Sequence, residues 1–192
     1  KVVLVDFWAT WCGPCVAELP NVLKAYEKHH AAGFEIVGIS LDSDKAKLDK
    51  FTKDKKMTWQ QFFDGQGWSN KLSTKYGVNS IPATYLLDGE GKIIAKNLRG
   101  DALEEAVAKA LADGFLKQGY AVMVGTRTPS KLDEWKASTN GKGKVGSFDD
   151  AAKFGDILVL AVKGAFAEEV LNLAGAANHA GKTILDATNP ID

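Results

Sequence analysis

Cys12 and Cys15 are the only two cysteines of the chain, and they stand in a single Cys-x-x-Cys, within Trp11-Cys12-Gly13-Pro14-Cys15. Two thiols at this spacing can pass between dithiol and disulfide if the first sits at a helix N-terminus. There the unpaired amides and the helix dipole favour an anion and bring a thiol below the roughly 8.5 of a free cysteine. Cys12 is then the attacking nucleophile. Cys15, one turn on, attacks the mixed disulfide and releases the substrate. A structural zinc site would need four ligands, and His29, His30 and His179 lie at unrelated spacings, so no metal is expected.

Two acids could move the proton of Cys15. Asp6 lies on a stretch that otherwise reads as buried, where an ionisable group needs a reason. Glu18 is three residues beyond Cys15, one helical turn away, where it serves either as a proton carrier or as a solvated helix carboxylate. The residues themselves leave the proton route open.

These groups need a strand and a helix to hold them. Residues 2–9 (VVLVDFWA) are nearly continuous in apolar residues, which suits a central strand covered on both faces. Residues 16–30 carry Val16, Leu19, Val22, Leu23 and Tyr26 at helical spacing, with Gly33 as a stop. A strand over 34–41 and a charged helix over 44–55 follow, the latter with Leu48 and Phe51 inward. Residues 59–67 are aromatic and turn-rich, and a helix covers 72–76. Residues 83–87 and 92–98 flank Asp88-Gly-Glu-Gly91 and read as an antiparallel hairpin. Asp101 caps a helix from Ala102 that runs to Gln118 and ends at Gly119.

Strand, Trp-Cys-Gly-Pro-Cys, Glu18, Pro20 and Ile81-Pro82 together resemble the thioredoxin-like TlpA and ResA group over residues 1–112. The resemblance implies that Pro82 is cis and faces the cysteine pair, its loop with Ile81 holding an incoming peptide, whereas proline could also merely begin a strand. Trp11 reads as a substrate platform and Trp8 as a packing residue. By the resemblance, Asp6 matches the buried acid of thioredoxins, and Glu18 the acid of a Cys-x-x-Cys-x-x-Glu-x-Pro pattern. Protein disulfides or dithiols are the implied partners, and the thiol chemistry requires no cofactor. Gly13-Pro14 points to a reductant by the same resemblance. The group usually carries strands before the one that begins here at Val2, so a sheet edge is expected to be exposed.

Beyond residue 112 strand and helix alternate: strands over 120–126, 145–148, 157–162 and 183–187, helices over 130–138, 149–154 and 167–177. GFLKQGYAVMVGTR, GSFDDAAKFGDILVLAV and ILDATNP resemble NADP-dependent reductases of the deazaflavin-linked kind over residues 110–191. The fold class is α/β: a thioredoxin-like domain over 1–112, then a partial Rossmann-like unit over 113–192 that lacks its first strand and its Gly-rich turn and shares the helix at 101–118. Arg127 stands where an acid would hold the ribose of NAD, with Thr126, Ser130 and Lys131 nearby, which favours NADP. Without the glycine-rich turn no helix N-terminus is open to the pyrophosphate, so NADP binding is weak or absent. Gly141-Lys-Gly143-Lys-Val-Gly146 matches the glycine pattern by letters but precedes a short strand, and is discounted. In the order 3-2-1-4-5 the lost strand is the central one. A homodimer that completes the sheet is one answer, a rearranged sheet the other.

Charge is balanced, 24 basic against 24 acidic residues, and nothing invites nucleic acid or an anionic membrane. No apolar stretch approaches a membrane span, and the chain opens on Lys1 without a signal-peptide pattern, as a mature, excised or engineered segment would. Three functions compete: thiol-disulfide exchange, an NADPH-linked reductase feeding its own disulfide, and a chimera, engineered or recombined, without a dedicated activity. Hydride does not pass readily from nicotinamide to a disulfide without a mediator, and no flavin site is evident. Relatives of the first unit usually work outside the cytoplasm and those of the second within it, the extracytoplasmic setting taking slight precedence.

Overall fold

The computed structural model describes residues 1–162 and 166–186. The chain separates into two compact units, one of Lys1–Tyr26 with Phe34–Val107, the other of Glu27–Gly33 with everything from Ala108 onward.

The first unit is built on a five-stranded sheet in the order β3-β2-β1-β4-β5. Its middle strand is β1 (Val2–Trp8), parallel to β2 (Phe34–Ser40) and antiparallel to β4 (Ala83–Leu87), with Val3 opposite both Glu35 and Leu87. Being paired on both edges and covered on both faces, β1 can afford few polar residues. Leu4 and Phe7 are fully buried and Trp8 nearly so. The outer strand β5 (Ile93–Lys96) closes the hairpin with a register shift between Leu86 and Leu87. The turn is held by Asp88, whose carboxylate accepts the amides of Glu90 and Lys92.

Helix α1 (Gly13–His29) begins inside the cysteine motif. Pro14 falls in its first turn, where a missing N–H costs nothing. Helix α2 (Lys45–Asp54) is capped by Asp44, whose side chain accepts the amides of Ala46 and Lys47, and Leu48 is its buried anchor while Phe51 is half-buried. Helix α3 (Lys71–Tyr76) starts on Asn70 and stops at Gly77, which is left-handed at φ 66°. Residues 60–62, expected to be turn, form the edge strand β3 (Gln60–Phe62), parallel to β2. Three residues are too few to display an alternation, and pairing with β2 decides their conformation.

Helix α4 starts earlier than expected and without the expected cap: it covers Gly100–Lys117, and the Asp101 side chain is 93% exposed. The amide of Gly100 is instead taken by Glu18 of α1, at 2.7 Å from Oε1. A carboxylate brought in by tertiary folding has displaced the local candidate.

In the second unit β6 (Val122–Gly125) pairs parallel with β7 (Gly143–Gly146), and β8 (Ile157–Leu160) parallel with β9 (Thr183–Asp186), as two separate two-stranded sheets. Among the described residues no strand joins β6 to β8, which is the place of the central strand in a Rossmann order. Ala187, the expected last residue of β9, lies outside the described residues. Strand β7 starts two residues earlier than expected, because the small Gly143 packs against Trp135 and Thr139 at distances a side chain would not permit. The expected helix at 130–138 is a 3-10 turn, Pro129–Leu132, followed by α5 (Asp133–Ser138). Trp135 is buried, its indole N–H donating to Asp113 of α4 at 2.8 Å. Helix α6 (Phe148–Phe154) opens with a capping box between Ser147 and Asp150. The helix expected over 167–177 is broken by Gly175, at φ 83°, into α7 (Ala167–Ala174) and α8 (Ala176–His179). No helix among the described residues is long and apolar enough to cross a membrane.

Candidate active site

The two sulfurs are joined as a disulfide, Cys12–Cys15, at the start of α1. The amide of Cys15 points at Cys12 Sγ from 3.2 Å, and the carbonyl of Cys12 accepts the amide of Val16. The donor that would stabilise a Cys12 thiolate is therefore already aimed at the sulfur. Both cysteines are almost fully buried.

The approach to Cys12 is held by Asp42, which is 3% exposed and lies just after β2. Its carboxylate accepts the Thr10 amide at 3.1 Å, the Thr10 hydroxyl at 2.6 Å and the Ser40 hydroxyl at 2.8 Å. Charge-assisted hydrogen bonds of this kind fix the loop between β1 and α1 more firmly than neutral ones would.

Opposite the sulfurs, the Ile81–Pro82 peptide is cis. The Ile81 carbonyl oxygen lies 3.7 Å from Cys12 Sγ, a contact rather than a hydrogen bond while the sulfur is in a disulfide. Trp11 is 55% exposed beside the pair, its ring 6.2 Å from that of Trp68, which is 49% exposed. Trp8 faces inward, donating its indole N–H to Gln61 at 3.0 Å.

Beneath the disulfide is a small cavity whose walls include Asp6, Cys15, Glu18, Pro82, Thr84 and Arg99. Asp6 is 7% exposed. Burial pushes its carboxyl up to about 7, the Arg99 cation pulls it back, and the Glu18 carboxylate adds a smaller push upward. Glu18 is fixed at both oxygens, Oε1 by the Gly100 amide and Oε2 by the Asn21 side chain at 3.2 Å. It is not a free surface carboxylate.

Cys12, Cys15, Asp6, Glu18, Ile81 and Pro82 thus meet in one place, with Trp11 at its rim. Arg99 and Trp68 were not anticipated. Arg99 did carry a signal: it is one of only two arginines among 24 basic residues, and arginine in a lysine-rich chain suggests a planar, multi-bond role. Trp68 carried none beyond its aromatic type.

The nucleotide candidates fare differently. Arg127 is paired with Glu169 at 3.0 Å and lies over the Phe166 ring at 5.5 Å. Thr126 accepts the Thr128 amide on its hydroxyl, and Ser130 and Lys131 sit in the 3-10 turn. The starts of α5, α6 and α7 carry Asp133 and Glu134, Asp149 and Asp150, and Glu168 and Glu169. Acids at helix N-termini repel a pyrophosphate, and the capping box already uses amides of α6. Gly143 to Gly146 of the glycine-letter match is strand. Among the described residues, these helix starts and the paired Arg127 offer a dinucleotide no open amide terminus and no unengaged cation.

A family model described as AhpC/TSA family matches residues 1–96, and one described as NADP oxidoreductase coenzyme F420-dependent matches residues 106–190. Over 93 residues the chain is 34% identical to the thiol-disulfide oxidoreductase ResA of Oceanobacillus iheyensis, covering 48% of this chain and 47% of that protein. The chain therefore spans about half the length of this curated relative. The thioredoxin domain of a thiol-disulfide oxidoreductase from Bacteroides vulgatus matches at 37% identity and a TM-score of 0.54, covering 58% of this chain and 79% of that one. A thiol:disulfide interchange protein from Bacteroides sp. matches at 38% identity and a TM-score of 0.51, covering 57% and 72%. The N-terminal part has the thioredoxin-like fold, and a further α/β unit follows it.

Proposed function

Since the chain belongs to the AhpC/TSA family, we propose that it is a thiol-disulfide oxidoreductase acting on protein disulfides, and that it works as a reductant. The observation that carries this reading is the Cys12–Cys15 disulfide at a helix start, above a cavity that holds the buried carboxyl of Asp6.

In the reduced protein the Cys12 thiolate attacks one sulfur of the substrate disulfide. A Cys12–substrate disulfide forms and the other substrate sulfur leaves as a thiolate, which takes a proton from water. Asp6 removes the proton of Cys15, and the Cys15 thiolate attacks Cys12 Sγ. The second substrate sulfur leaves, two electrons have passed to the substrate, and the protein ends as the disulfide seen here. An external dithiol restores it. Glu18, held at both oxygens, is anchored beside this transfer, and Asp6 is the carrier. The Ile81–Pro82 loop and Trp11 seat the substrate backbone, and the extracytoplasmic setting is proposed on the resemblance of residues 1–112 alone.

The test is reduction of insulin disulfides with dithiothreitol as electron donor. Wild-type chain should accelerate insulin precipitation and Cys12→Ser should lose the acceleration. Equal rates with and without the wild-type chain would sink the proposal. No hydride step is assigned to the second unit, whose helix starts and paired Arg127 speak against NADP. Among the described residues β6 and β8 each pair on one edge only, and for the other edges we propose pairing with a second copy, to be checked by sedimentation across a hundredfold concentration range.

A further inference from the structure

Arg99 sits between β5 and α4 and reaches back to the loop that faces the cysteines. One guanidinium nitrogen donates to the Pro82 carbonyl. The other donates to the Leu98 carbonyl at 2.6 Å and to the Thr84 hydroxyl at 3.2 Å. The segment around it is stitched to the same strand: the Asn97 amide donates to the Thr84 carbonyl at 2.8 Å, and the Thr84 hydroxyl lies 3.4 Å from the Leu98 carbonyl. Its next neighbour, Gly100, donates to Glu18. Residues 97–100 therefore bridge the cis-proline loop on one side and the acid of α1 on the other.

Among the described residues, Arg99 is also the one basic residue on the wall of the cavity that holds Asp6, Glu18 and Cys15. The charged and titratable groups facing Asp6 are Cys15 and Glu18 from α1 and Arg99 from the segment before α4. Its strand partners, Gly38 of β2 and Thr84 of β4, bring no charge.

Resting on the disulfide-exchange reading, we propose that Arg99 is a positioning residue with two coupled tasks: it holds the Pro82 carbonyl and so the shape of the substrate loop, and it supplies the positive charge that balances the two acids under Cys15. The two tasks have different chemical requirements. Charge balance needs only a cation. Holding the loop needs donors in a fixed planar fork, because three acceptors on Pro82, Thr84 and Leu98 must be reached from one side chain.

The experiment compares Arg99→Met and Arg99→Lys with the wild type in the full chain. The Asp6 carboxyl is followed by carbon NMR against pH, and KM and kcat by insulin reduction. In Arg99→Met the Asp6 midpoint should rise by about one pH unit, since an attractive cation has been removed. KM should rise about tenfold, through loss of ground-state hold on the loop. Arg99→Lys should return the Asp6 midpoint towards the wild type and leave KM raised. An Asp6 midpoint in Arg99→Met equal to that of the wild type overturns the proposal. If Arg99→Met does not fold, Arg99→Lys decides, and a wild-type KM there overturns the fork. Should the wild type itself fail to reduce insulin while the Asp6 midpoint still moves in Arg99→Met, the disulfide-exchange reading falls and the charge balance stands.

Discussion

A carboxyl at about 7 inside a fold has a thermodynamic cost as well as a use. The folded state prefers the neutral form of Asp6, so this residue costs nothing below its ordinary value of 3.8 and progressively more as pH rises, with the full cost reached above about 7. Asp6→Asn should therefore stabilise the oxidised protein by up to about 4 kcal/mol at pH 8 and by little at pH 4, measured by urea unfolding at both values. On the proposed route the same substitution should also slow the second step of disulfide exchange, because it removes the acceptor proposed for the Cys15 proton. Cys15→Ser should go further and trap substrate on Cys12, visible as a mixed disulfide on a non-reducing gel. At this scale the cysteine pair and Asp6 were legible, since spacing and an acid in an apolar run are local features. Trp68 was not, and Arg99 stood out only by its rarity, because what makes them part of the site is the return of the chain to Trp11 and to Pro82, which no window around either residue contains.

Elements place these groups by satisfying one another's ends. Glu18 of α1 occupies the Gly100 amide of α4, so the helix that carries the cysteines and the helix that follows Arg99 are tied through one carboxylate. In the second unit β6 and α6 are tied by closeness instead: a Cβ on Gly125 would meet the Ala151 methyl at 2.9 Å and the Ser147 carbonyl at 3.3 Å. Gly125→Ala should destabilise by about 1–3 kcal/mol through overpacking, read from the shift in thermal unfolding. Ser147→Ala, which removes half of the capping box, should cost about 1 kcal/mol in the same measurement. Long periodic elements such as α1, β1 and the β4-β5 hairpin could be read from sequence within a residue or three of their ends. Strand β3 could not, being three residues long, nor could the break at Gly175, because an isolated glycine in a helical pattern is as often tolerated as obeyed.

Two family matches on one chain, over residues 1–96 and 106–190, meet across α4. Among the described residues the parallel pairs β6-β7 and β8-β9 stay separate sheets, and no strand takes the central place that a Rossmann order would require. NADPH titrated into the full chain should give no saturable change in tryptophan fluorescence and no free thiols with time; thiols appearing with NADPH alone would restore a two-domain reductase. The centre of the first sheet has its own consequence, for synthesis. Strand β1 pairs with residues from Phe34 to Ser40 on one edge and with Leu87 to Ala83 on the other. Emerging from the ribosome ahead of both partners, β1 stays one-sided until β4 has been added, and Cys12 and Cys15 leave the tunnel before the Ile81–Pro82 loop that will cover them exists. Until then the two thiols are open to whatever oxidant or chaperone the nascent chain meets, so their first redox state is set by the surroundings of translation and only later by the finished protein.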